Sequence, residues 1–320
     1  MNAKETLKFF MELSEKMKRA KKAKYTHKNS SSLFFPLILV APTILITILV
    51  TGWPLIQTIL YSFHFFQLTK PEVGMPFVGL AQYQKMFKDP LFGKTLFNTI
   101  YWTTGSVAGQ FIIGFILALI LNEKIKYRNF FRGILLTPWV IPSIVAAFLW
   151  YWIFNPEFGI LNVILKDLGI IAAFKSWLMD PKIAMPSLIL ANVWKGFPFA
   201  MLMLLAGLQT IPPDLIEAAK VDGANALNRF RHITLPLLKP IIILVTILSF
   251  IWESQNFTLI WVTTQGGPMF STETFVIRIY KLAFQAYDFG YAAAYGTLWL
   301  MILLILTIIY LRLIMGGEKR

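Results

Sequence analysis

PPDLIEAAKVDGANALNRFRHITLPLLKP, residues 212–240, is polar and alanine-rich, interrupted by one glycine and bounded by prolines. Long apolar stretches lie on both sides of it, and how a chain comes to hold such a segment between them decides the fold. Asp214 stands where a helix cap is wanted, and Glu217 three residues later completes a D-x-x-E capping pattern. Leu215, Ala218, Ala219 and Asp222 then share one side of a two-turn helix, which Gly223 ends by supplying a left-handed residue. A second short helix is expected from Ala224 to His232, before Leu235-Pro236 leads into the next apolar stretch. Small alanine side chains would let another protein's surface approach the helix backbone. An ordinary capped loop would read the same way at this level.

The flanks identify the solvent. Of 320 residues, 57% are hydrophobic and 14% charged, against about a quarter charged in an average soluble chain. Mean hydropathy is +0.63. A soluble core of this size cannot hide that much apolar surface, so most of the chain is expected in a bilayer. About 20 apolar residues cross the hydrocarbon as a helix. Six stretches qualify: 33–60, 98–121, 131–154, 183–208, 237–262 and 290–314. They are continuously apolar rather than alternating, which favours helices over a barrel. The fold class expected is all-α, with a basic tail at 1–32, a membrane domain at 33–320 and the opening segment inside a loop at 209–236.

Lysine and arginine orient these spans. With both termini inside, the inner segments hold twenty of the thirty basic residues and the outer segments nine, Lys195 lying within a span. The outer loops are also longer, so the bias predicts both termini in the cytoplasm and places 209–236 there too. In the tail, Phe10, Leu13 and Met17 share one helical face among lysines. That suits either an amphipathic helix on the inner leaflet or a basic tail without defined structure.

Common chemistries are missing from the pattern. Cysteines are absent and the three histidines are scattered, which leaves no spacing for a metal site. Neither a Walker-type nor a dinucleotide glycine loop occurs, so no cofactor is expected. The basic residues lack interleaved base-stacking aromatics, which argues against nucleic acid. No catalytic residue is assigned.

Two charges inside spans stand out, because an intramembrane charge costs about 2.5–3.5 kcal/mol on insertion scales. Lys195 lies in ANVWKGFPFA (191–200) and Glu253 in SFIWESQNF (249–257). At helical rise they sit about 18 Å and about 14 Å from the outer ends of their spans. They are expected to form an ion pair or to face a shared wet cavity, unless one snorkels to an interface. Ser249, Trp252, Glu253 and Asn256 fall at i, i+3, i+4 and i+7, one polar-aromatic stripe. Facing a cavity, it offers hydroxyl-binding groups and a flat indole, which suits sugars; otherwise it bonds neighbouring helices. Pro138, Pro142, Pro186 and Pro198 would bend helices around such a cavity.

The segment from Glu217-Ala218-Ala219 through Gly223 to Ile233 and Leu235-Pro236 resembles the EAA loop of ATP-binding-cassette importer permeases at every fixed position. FVGLAQY (77–83), DPLF (89–92), NT (98–99) and GGP (266–268) are similar to the binding-protein-dependent carbohydrate branch, in the maltose-permease style. The resemblance implies a type I importer permease in the cell membrane of a prokaryote, with no covalent chemistry of its own. Its implied partners are a second permease, a cytoplasmic ATPase dimer, an extracytoplasmic solute-binding protein, membrane lipid and a sugar. Glu217, Ala218, Ala219, Asp222 and Gly223 would couple it to the ATPase. Carried over from the maltose-type site, Trp194, Lys195, Gly196, Phe199, Ser249, Trp252, Glu253 and Asn256 would meet substrate. Glu253 stands where that pattern has asparagine and Lys195 where it has an apolar residue. Those departures leave the sugar open, with a permease for glycerol-3-phosphate or another small anion as the nearer rival. An ion-driven secondary transporter and a membrane anchor are the more distant ones.

Overall fold

In a bilayer the backbone has no water to bond, so apolar stretches close their hydrogen bonds within themselves and become helices. The computed structural model describes residue 15 and residues 34–123 and 125–317. The expected amphipathic face of Phe10, Leu13 and Met17 lies outside the described residues. The chain falls into two units, residues 1–57 and 58–320. The first holds α1 (Phe34–Thr47), a π-turn at Ile48–Gly52 and the start of α2 (Trp53–Tyr61).

In the second unit, short α3 (Ala81–Lys88) precedes α4 (Pro90–Asn122), which Asp89 caps by accepting the Leu91 N–H at 2.9 Å. Next come α5 (Arg128–Val140), α6 (Ser143–Ile153), α7 (Ile160–Asp167) and α8 (Ala184–Leu208). The opening segment forms α9 (Pro213–Val221) and α10 (Ala226–Arg229), followed by a π-turn at Phe230–Thr234 and α11 (Leu235–Ser254). The chain ends through α12 (Thr258–Thr263), α13 (Phe275–Tyr280) and α14 (Phe289–Gly317). Among the described residues, five helices are long and apolar enough to cross a membrane, and α5 with α6 makes a sixth if counted as one broken span. No strand occurs among them, only isolated bridges pairing His64 with Phe77 and Gln67 with Asp288.

Two features differ from the sequence expectation. The third stretch, expected as one span bent at its prolines, is two separate helices meeting at 91°. The cause is local: Pro142 forces Ile141 into an extended conformation (ψ 130°), so α5 cannot continue. The second difference concerns Asp214, which does not cap. Pro212 takes the cap position and Pro213 opens the helix, where its missing N–H is no loss, leaving Asp214 in the first turn.

The bundle is organised around α4 and α8, its most extensively packed pair. Lipid offers little hydrophobic gain for bringing helices together, so close fit and internal polar bonds must do it. Gly105 and Gly109, spaced G-x-x-x-G, set α4 against Ile189 and Val193 of α8. Along α8 the apolar packing falls into two clusters. Leu188 and Ala191 join Trp102, Phe154 and Ile260. Ala200, Met201 and Leu204 join Leu121 and Leu238. Residues 192–199 lie between them, and there the polar groups collect.

Candidate functional site

Two helix breaks frame a cavity of about 450 Å³, inside the range of about 300–1,000 Å³ usual for ligand sites. At the first break, α6 starts with the Ala146 N–H bonding the Pro142 carbonyl at 3.0 Å. The Ile141 carbonyl accepts instead from the ammonium of Lys195 at 2.7 Å. The second break is at Gln255–Phe257, between α11 and α12, and it places Asn256 and Phe257 on the cavity wall.

One wall is polar and centred on Glu253. Its Oε1 accepts from Gln110 of α4 at 2.8 Å, and its Oε2 from Asn192 of α8 at 2.5 Å and Asn256 at 3.2 Å. Asn256 also donates to the Asn192 side chain at 3.1 Å, and Gln110 to the Asn192 carbonyl at 3.2 Å. The Trp102 indole donates to the main-chain carbonyl of Glu253 at 2.8 Å. Both carboxylate oxygens accept from side-chain amides. The other wall is aromatic. Phe199 lies 4.9 Å from Trp252 and 6.2 Å from Trp139, centroid to centroid. Trp252 is 54% exposed, an indole face left open to the cavity.

Of the residues singled out from sequence, Lys195, Gly196, Phe199, Ser249, Trp252, Glu253 and Asn256 border this cavity. Trp194 is not among them; it packs edge-on against Trp150 at 5.7 Å. Lys195 and Glu253 share the cavity, but the four ion pairs among the described residues do not include them. Gly196 serves a neighbour, because a Cβ there would collide with the Gln110 side-chain amide. Asn256 keeps its place on the stripe although α11 has ended two residues before it. Gln110, Asn192 and Trp139 were missed. Amides inside apolar spans were the available signal for the first two, and Trp139 carried none.

The opening segment presents a different surface. α9 ends in a complete Schellman motif: the Ala224 N–H bonds the Ala219 carbonyl at 2.9 Å and the Gly223 N–H the Lys220 carbonyl at 3.1 Å. Gly223 has φ +76° with open space around it, so backbone conformation rather than packing requires glycine. Asn225 caps α10 by accepting the Asn228 N–H at 2.8 Å, and Arg229 donates to the Ala224 carbonyl at 2.6 Å. Glu217, Ala218, Asp222 and Gly223 are exposed and Ala219 half-buried. Val221 and Leu227 are 88% and 71% exposed, an apolar pair on a rigid elbow.

Residues 110–316 match the family described as binding-protein-dependent transport system inner membrane component. The chain belongs to that family. The trehalose/maltose transport system permease protein MalF of Thermococcus litoralis is 38% identical over 278 residues, 86% of this chain and 92% of that protein. The sulfoquinovosyl glycerol transport system permease protein SmoG of Agrobacterium fabrum is 37% identical over 279 residues, 87% and 89% of the two chains. A bacterial ABC transporter involved in the import of the acidic polysaccharide alginate contains a chain of the same fold. The TM-score is 0.77 at 23% identity, over 89% of this chain and 96% of that one. The protein is therefore a multi-pass membrane permease of the type I ABC importer fold, a transport subunit rather than an enzyme. In this permease both cavity walls come from helices of the second unit.

Proposed function

We propose that this permease is the membrane subunit of an ATP-driven, binding-protein-dependent importer carrying a sugar across the cell membrane. The observation that carries the reading is the mid-span cavity itself. Trp139, Phe199 and Trp252 line it together with the polar side chains of Ser249, Asn256 and Lys195, and the C–H faces and hydroxyls of a sugar ask for that pairing. Relatives named for trehalose, maltose and sulfoquinovosyl glycerol support it. So does a solved alginate transporter in complex with a periplasmic protein bound to an alginate pentasaccharide.

In this reading a second permease completes the path, two copies of a cytoplasmic ATPase dock below, and a solute-binding protein delivers sugar from outside. The α9–α10 elbow is the docking element. Glu217 offers a charge to the ATPase, Ala218 and Ala219 allow close approach, and the turn at Asp222-Gly223 keeps the two legs rigid as the ATPase closes. Trp252 and Phe199 stack on sugar, and Asn256 and Ser249 meet its hydroxyls. The aromatic wall favours a sugar over a small anion such as glycerol-3-phosphate, which has little C–H face to cover it.

The test is uptake by the assembled importer in proteoliposomes supplied with its binding protein. Sugar uptake is expected to require hydrolysable ATP and to persist after ionophores collapse ion gradients. Trp252→Ala should lower it about tenfold, the loss of one aromatic contact worth about 1.4 kcal/mol. Uptake that follows the ion gradient and ignores ATP overturns the proposal.

A further inference from the structure

The cavity holds two charges of opposite sign, and their surroundings differ. Glu253 is closed: three side-chain amides donate to its two oxygens, and its carbonyl takes the Trp102 indole. A ligand's ammonium or hydroxyl would find most of its acceptor capacity used. Lys195 is open. An ammonium has three donors, and the single hydrogen bond to Ile141 leaves two of them. No carboxylate lies within ion-pairing distance of it among the described residues. Glu253 acts on it electrostatically without pairing with it, and an ammonium at this depth gains from a directly paired anion.

The backbone reinforces the asymmetry. The Ile141 carbonyl is freed by the 91° break between α5 and α6 and fixes the end of the lysine side chain at the cavity wall. A flexible stem is thereby given one position, and less freedom is lost when an anion binds there. The aromatic wall of Trp139, Phe199 and Trp252 borders the same cavity. A ligand filling both features carries a pyranose-like C–H face and one anionic group.

From this we infer that the transported sugar is an acidic one, bearing a carboxylate, sulfonate or phosphate, and that Lys195 is the residue that selects for it. The inference rests on the sugar-importer reading and sharpens its substrate class. Glu253 is a positioning residue, which holds α4, α8 and α11 around the site without touching the charge of the ligand.

The purified complex of both permeases with the ATPase, without binding protein, provides the test. Fluorescence of the cavity tryptophans reports titration with glucuronate, glucose 6-phosphate, glucose and maltose. At least one acidic probe is expected to bind at least about tenfold tighter than glucose, the value of one charge-assisted hydrogen bond. Lys195→Met should erase that preference, with a circular dichroism spectrum and detergent unfolding like those of the unmodified complex showing that the variant is folded. Lys195→Arg should keep it. Equal or tighter binding of the neutral probes by the unmodified protein overturns the inference and leaves sugar import standing. Preference for acid surviving in Lys195→Met also overturns it. Binding of neither class removes the sugar reading and this one together.

Discussion

Gly196 shows how one missing methyl decides a site. The residue borders the cavity, as the sequence resemblance expects of a substrate residue, and its empty side is filled by Gln110, which crosses from α4 to reach Glu253. The group that must yield to a Cβ is the far end of a flexible side chain, so the clash itself is cheap. What is lost is the pair of hydrogen bonds that Gln110 makes to Glu253 and to the Asn192 carbonyl. Gly196→Ala is therefore expected to destabilise the protein by about 1.5–3 kcal/mol, the usual worth of a hydrogen bond to a charged group. Gln110→Ala should cost a similar amount, and the double variant little more than either alone. Unfolding in detergent across this double-mutant cycle checks the claim. Additive losses would mean that Gly196 acts through something other than Gln110.

At the level of elements, ion ties join α4, α13 and α14 beside an apolar cluster that includes Met86, Phe275 and Tyr295. Asp89 both caps α4 and accepts from Arg278 of α13 at 2.7 Å and from Tyr291 of α14 at 3.0 Å. Arg278 and Lys281 in turn flank the fully buried Glu273. The Asn98 amide donates to the Phe270 and Glu273 carbonyls. Burial alone would raise the Asp89 carboxyl, but the Leu91 amide, the Tyr291 hydroxyl and the Arg278 guanidinium outweigh it and hold it below its ordinary 3.8. A lowered folded-state value stabilises above the unfolded pKa, and that contribution disappears as pH falls through the folded one. Asp89→Asn keeps the cap, since asparagine is as good there, and removes only the charge. The stability gap between wild type and Asp89→Asn should stay constant above about pH 4 and narrow at lower pH. Acid unfolding followed by circular dichroism measures it, and a constant gap down to pH 3 would show that the charge is not engaged. Here the sequence is informative without being explicit: DPLF, NT and GGP read as separate fragments, and the ion pair and the amide bond that join their neighbourhoods span 189 and 172 positions. The α9 turn was legible because Gly223 acts locally. The 91° break was not, because Pro142 fixes a stop but the direction of α6 is set by its packing on α12. The partner of Lys195 left no sequence trace, being a main-chain carbonyl.

For the whole molecule, the pattern of charge carries the remaining inference. Twenty basic residues fall in the segments placed inside and nine in those placed outside, and positive loops resist translocation. The elbow of α9 and α10 can meet a cytoplasmic ATPase only if that bias is obeyed, so the orientation and the docking role stand or fall together. A chain without cysteines makes the test direct, because a single introduced thiol is unique. Glu72 lies in the exposed turn at Pro71–Val73, predicted outside, and Asn129 is exposed in the first turn of α5, predicted inside. Neither belongs to the elbow, so a docked ATPase should leave both accessible. In intact cells stripped of their outer layers, a membrane-impermeant maleimide should label Glu72→Cys within minutes and leave Asn129→Cys unlabelled until the membrane is opened. Inside-out vesicles should give the reverse order. If Asn129→Cys labels first in right-side-out membranes, the elbow faces away from any ATP-hydrolysing partner and cannot transmit its closure.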